Sequence, residues 1–92
     1  MGFRFTVTKA WQDASLGVFH LIGLLEEGAI VPNSHAVVEH HPELGVRIES
    51  VSLVHYKDGK SVPNEFTLQI CQPSFELKHL EGAKLVGESA RH

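Results

Sequence analysis

The sequence predicts an all-β protein that closes into a small antiparallel barrel. Three observations carry this expectation. Apolar and polar residues alternate over short runs, as with Phe3, Phe5 and Val7 against Arg4, Thr6 and Thr8, or Phe66, Leu68 and Ile70 against Thr67, Gln69 and Cys71. Gly, Pro, Asn and Asp stand between the runs, where a chain of strands needs sharp corners. No run is spaced for a helix of more than a turn or two. With 92 residues the chain makes one domain with a modest core. The barrel is expected to occupy residues 1–86, with 87–92 a flexible polar tail.

The first strand starts at Phe3 and reaches Trp11, and the polar stretch 12–15 is a loop. Residues 17–25 form the second strand, which is apolar on both faces: Val18, Ile22 and Leu24 on one, Phe19, Leu21 and Leu25 on the other. Only one face of a strand looks into a barrel, so the outward set needs cover from a loop of this chain, either residues 12–16 or the segment around 75–80, or from another molecule. Val18, Ile22 and Leu24, with Trp11 at the rim, are therefore the candidate partner-binding residues, for a protein partner or a weak homo-oligomer. Gly23 keeps the middle of that strand thin, which suits close approach by another backbone.

The central corner follows. A Glu-Glu-Gly turn at 26–28 leads to a second turn at Pro32-Asn33. Gly28 takes a positive φ at little cost, Asn33 is the next best residue for that conformation, and Pro32 fixes the first turn position. A short strand over 34–39 and a turn-rich link over 40–45 come next, with Pro42 unsuited to a central strand and Gly45 suited to a special backbone angle. In the strand 46–56, Val46 and Ile48 share one phase, Val51 and Leu53 the other. One extra residue between Glu49 and Val51, a β-bulge, turns both sets inward. Asp58-Gly59 is the strongest hairpin signal, and the strand 65–71 pairs back across it. After a break at 72–74, Phe75 and Leu77 alternate with polar residues. Gly82 then turns the chain into a last strand ending near Val86.

Composition narrows the function classes. The net charge is −3 with histidine neutral, which gives no general pull toward nucleic acid. One cysteine excludes an internal disulfide and fits a reducing compartment. With no signal-peptide pattern and no apolar run long enough to span a bilayer, the cytoplasm is the expected location and no membrane association is expected.

Catalytic patterns are weak, and the chain is expected not to be an enzyme. Asp13 with Ser15 and Asp58 with His55 sit at turns that already explain them. Glu26-Glu27 reads as a solvated pair, and Cys71 has no basic neighbour in sequence to activate it. Seven histidines raise the question of zinc, with His35, His40 and His41 the best-placed ligands. No Cys-x-x-Cys or His-Glu-x-x-His spacing gathers them, and the adjacent His40 and His41 would point to opposite faces of a strand. No metal and no cofactor is expected.

The corner residues carry a resemblance. Gly23, Leu25, Glu26, Gly28, Ile30 and Asn33, followed by the strand at 36–38, resemble the second, β-barrel domain of translational GTPases such as elongation factor Tu. Residues 46–51, 66–70 and 80–85 are similar to that domain's later strands and closing turn. The likeness runs from Gly17 to Val86. Two departures stand out: Asn33 occupies a position where the family has Gly, and one more residue separates Gly17 from Gly23. The Gly-x-x-x-x-Gly-Lys-Ser/Thr loop of the GTPase module is absent from the chain. The resemblance implies a translation-factor-like barrel standing alone. It also implies an RNA- or ribosome-associated role, for which Arg47, Tyr56, Lys57 and Lys60 are the candidate nucleic-acid contacts.

Overall fold

The computed structural model describes residues 2–13, 17–54, 56, 59 and 62–87. Its strands are β1 (Phe3–Asp13), β2 (Val18–Glu27), β3 (Ser34–Val38), β4 (His41–Leu53), β5 (Glu65–Ile70) and β6 (Lys84–Gly87), with a 3-10 turn at Leu77–His79. They close into a barrel in the order β1-β2-β5-β4-β3-β6, and every neighbouring pair is antiparallel. The all-β barrel read from alternation and corner residues is the observed fold.

The interior follows the alternation. Phe3, Phe5 and Val7 of β1, Leu21 of β2, Ala36 and Val38 of β3, Val46 and Ile48 of β4, Leu68 and Ile70 of β5 and Leu85 of β6 form one buried cluster. Two glycines make room for its largest rings. A Cβ on Gly23 would lie 2.0 Å from the Thr6 carbonyl oxygen and 2.8 Å from the Phe5 ring, and one on Gly87 would lie 2.0 Å from the Phe3 ring. The backbone that approaches Gly23 is thus β1 of the same chain, and its thinness serves the barrel's own packing rather than a partner.

Antiparallel closure gives the barrel two distinct ends. At one, the β3–β4 turn and the segment linking β5 to β6 come together, and Leu80 is fully buried there. Its plug is tied to β1, where the Val7 N–H donates to the Ala83 carbonyl at 2.8 Å and the Gly82 N–H donates to the Val7 carbonyl at 2.9 Å. These bonds fall beside a register shift between Val7 and Lys9, a bulge that frees the β1 backbone to reach the plug. The other end carries the β2–β3 corner and the β4–β5 connection.

The corner behaves as its residue types require, with Gly28 at φ 72° and Asn33 at φ 64°. The bulge expected between Glu49 and Val51 is present as a register shift between Ile48 and Ser50. Other expectations are corrected. β1 runs on to Asp13, and β2 extends through Glu26 and Glu27, so the corner begins at Gly28. β4 starts at His41 rather than Val46. The turn is made by Glu39 and His40, with His40 at φ 69°, and the pairing jumps from Val37↔Gly45 to Val38↔His41. The three skipped residues are why Pro42 is tolerated: its missing N–H falls where no ladder bond is required. Gly45 pairs in an ordinary strand, without a positive φ. Leu53, expected inside, is 60% exposed; it is the last residue of β4, paired with Phe66 at the rim of the barrel. Of the hairpin signal, Gly59 has φ 78° and its N–H donates to the Tyr56 carbonyl. The tail expected from residue 87 loses its first residue to β6, where Gly87 pairs with Phe3, and Asp58 and residues 88–92 lie outside the described residues.

Candidate protein-docking face

The outer face of β2 is the strongest candidate site. With Leu21 and Gly23 buried inside, Val18, His20, Ile22 and Leu24 face outward; Val18 and Ile22 are half-buried and Leu24 is 37% exposed. Their neighbours across the ladder explain the partial cover. Ile22 lies between Lys9 and Thr67, Leu24 between Thr6 and Glu65, and His20 between Trp11 and Gln69. The row is thus an aliphatic ridge bordered by Thr6 and Lys9 on the β1 side and by Glu65 and Thr67 on the β5 side, where the stems of Lys9 and Glu65 give it partial cover.

Trp11 joins this face through its register partner. Its ring stacks on His20 with centroids 5.2 Å apart and an interplanar angle of 24°, and the Lys9 ammonium lies 5.9 Å from the indole centroid. The four residues singled out from sequence, Trp11, Val18, Ile22 and Leu24, therefore lie on one surface. The segment around Phe75 and Leu80, one of the two loops expected to cover it, packs against β1 and plugs the barrel end instead. Most of the other loop, residues 14–16, lies outside the described residues.

Below Leu24 the surface continues to the corner-bearing end of the barrel. Tyr56 donates its hydroxyl to Glu65, and this bond to a carboxylate holds the phenol above its ordinary pKa. Tyr56 is 44% exposed and Val62 46%. Of the candidate nucleic-acid residues, Arg47 is exposed in β4 opposite His35, and Tyr56 follows the far end of that strand. Lys57 and Lys60 lie outside the described residues.

Four of the described histidines line two grooves. His35 lines one of about 580 Å³ with Val31, Pro32, Val37 and Val86. His40, His41 and His79 line another, of about 560 Å³, above Val38, Leu44 and Ala83. The left-handed turn at His40 brings both adjacent rings to one groove, contrary to the opposite faces expected of an extended strand. His40 contacts Glu39 at 3.5 Å and His41 contacts Glu43 at 3.4 Å. Among the described residues no three His, Cys, Asp or Glu side chains gather closely enough to hold a metal ion.

Several other titratable groups among the described residues have structural partners. Glu26 and Glu27 are each drawn to a cation, Glu26 to Lys84 at 2.9 Å and Glu27 to Arg4 at 3.9 Å, while Arg4 also pairs with Glu39 at 2.9 Å. Cys71 is half-buried; burial, with a hydrogen bond to Glu49, pushes its thiol above the ordinary value and away from the reactive thiolate. The Glu26 carboxyl is held below its usual value, first by the hydrogen bond from Lys84 and then by Thr6. A carboxylate with a depressed folded pKa stabilises the fold above its unfolded pKa and loses that contribution as pH falls through the folded value. Lys84→Met should therefore lower the melting temperature at pH 7, and the gap to wild type should close below about pH 4. A gap that persists unchanged in acid would assign the loss to packing instead.

No protein-family model, no curated protein and no solved structure matches this chain. No helix among the described residues is long and apolar enough to cross a membrane.

Proposed function

We propose that this chain is a non-enzymatic binding domain of the cytoplasm that docks a protein partner through the outer face of β1 and β2. The carrying observation is the aliphatic ridge of Val18, Ile22 and Leu24 on the outside of a barrel whose own plug is spent elsewhere. Trp11 beside it adds a residue type that anchors interfaces. Val18 and Ile22 are already half-covered, so burying the ridge contributes about 2–5 kcal/mol gross. Association entropy offsets much of that, which suits a transient contact or a weak homo-oligomer.

Ile22→Asp tests the reading, because its side chain points outward and the substitution leaves the interior untouched. The variant should keep the wild-type circular dichroism and melt cooperatively, yet lose self-association in sedimentation or the partner recovered by the wild type. Leu21→Asp, one residue away and fully buried, should unfold the domain. A wild type that stays monomeric and recovers no partner would refute the docking role.

A second reading follows the translation-factor likeness: an RNA- or ribosome-associated module, favoured by the exposed Tyr56 ring as a stacking surface. Titration with single-stranded RNA at low salt separates it from the first. Binding lost on Tyr56→Ala would support it, and no binding above background would remove it.

A further inference from the structure

The two ends of the barrel are finished differently. At one, Leu80 is fully buried and the groove there carries Glu39, His40, His41, His79 and Lys84, whereas the corner-bearing end holds an open pocket of about 140 Å³ lined by Leu25, Ala29, Ile30, Val51 and Phe66. Every lining residue is apolar. Five large hydrophobic residues are notably exposed among those described: Leu24, Val31, Leu53, Tyr56 and Val62. All five belong to strand ends or connections at this same end. Leu24 and Leu25 end the outward and inward rows of β2, Leu53 pairs with Phe66, and the Leu25 N–H donates to the Asn64 carbonyl at 2.8 Å. These exposed apolar side chains and the apolar recess thus share one end of the barrel.

We propose that this recess is an anchor pocket that receives one bulky apolar side chain, of leucine or phenylalanine size, presented by a protein partner. The inference rests on the docking role proposed above and adds where the partner inserts and what it inserts. Size fixes the occupant. Dry cavities of about 150 Å³ lined by Leu, Ile and Phe accept a benzene ring, so this pocket holds one side chain and excludes a drug-sized molecule, whose sites span about 300–1,000 Å³. Chemistry agrees, because a wall of apolar side chains offers no polar side-chain partner to a buried amide, hydroxyl or charge. Continuity with the β2 ridge through Leu24 places the anchor at the edge of the docking face, where a buried side chain ringed by partly exposed apolar contacts excludes water.

Methyl NMR on the full chain tests the pocket without needing the partner. The probes are N-acetyl-phenylalanine amide and N-acetyl-leucine amide, with N-acetyl-serine amide as control. The methyl signals of Leu25, Ile30 and Val51 should shift in a saturable way with the first two, while those of Ile48 and Leu85, in the closed core, stay still. Ala29→Phe should fill the pocket from an exposed loop position and weaken probe binding at least tenfold while the fold is retained. Equal shifts from the serine amide, no saturable shifts, or binding unaffected by Ala29→Phe would each overturn the proposal. The Ile22→Asp experiment reports on the ridge separately. Docking lost in Ile22→Asp but kept in Ala29→Phe, with no probe binding, would leave the docking role standing and remove the anchor.

Discussion

Gly23→Ala should destabilise the domain by about 3 kcal/mol, at the upper end for overpacking a core. The added methyl group would sit 2.0 Å from the Thr6 carbonyl oxygen. That atom is backbone, held in the β1–β2 ladder, and cannot rotate away as a side chain can. Relief requires β1 to move off β2, which disturbs the Phe5 ring lying against the same glycine. Gly45→Ala is the matched control, since it is also a strand glycine with no positive φ, and its new methyl group would make ordinary contacts at 3.7 Å and beyond. It should be neutral or stabilising by a few tenths of a kcal/mol, through a less flexible unfolded chain. Denaturant titration of the two variants side by side checks the pair, and equal effects would show that β1 and β2 yield to the methyl group.

Leu80→Ala should cost about 2–5 kcal/mol, the range for emptying a fully buried leucine site, and lower the melting temperature by more than about 10 °C. Leu80 is the innermost residue of the plug, with Phe75 and Leu77 half-buried around it. Its backbone is pinned by the hydrogen bond from its N–H to the Leu77 carbonyl at 2.8 Å. The pinned turn cannot sink far into the space left by the side chain, so a cavity remains. Leu53→Ala, at a site 60% exposed, should stay within about 0.5 kcal/mol of wild type. Calorimetry on both would expose a plug that matters less than its burial implies.

Local conformation was legible in the residues. Gly28 and Asn33 announced left-handed backbone because few residue types accept it, and the phase change between Ile48 and Val51 announced a bulge because a period of two admits no other repair. The misses were non-local. Pro42 pointed away from a strand, and nothing nearby signals that three residues slip out of register beside Val37 and Val38. Gly23 marked a close approach correctly, but the identity of the approaching backbone depends on the β1 register. The apolar excess on β2 was legible as a row. The grouping of exposed side chains at one barrel end was not, because Leu24, Val31, Leu53, Tyr56 and Val62 come to the same end only after the strands close.

Closure itself rests on a short element. β6 has only four residues, yet it bridges β1 and β3, pairing Phe3 with Gly87 and Val38 with Leu85. Without it, β1 and β3 would be bare edges of an open five-stranded sheet, each offering unpaired amides and carbonyls to any other extended chain. Those edges stay bare during folding until a segment more than 80 residues away from Phe3 in sequence arrives. Such late, long-range pairing is slow and leaves aggregation-prone intermediates waiting. A charged or proline substitution at Leu85 or Val86 should therefore show itself first as insoluble protein, before any defect in binding.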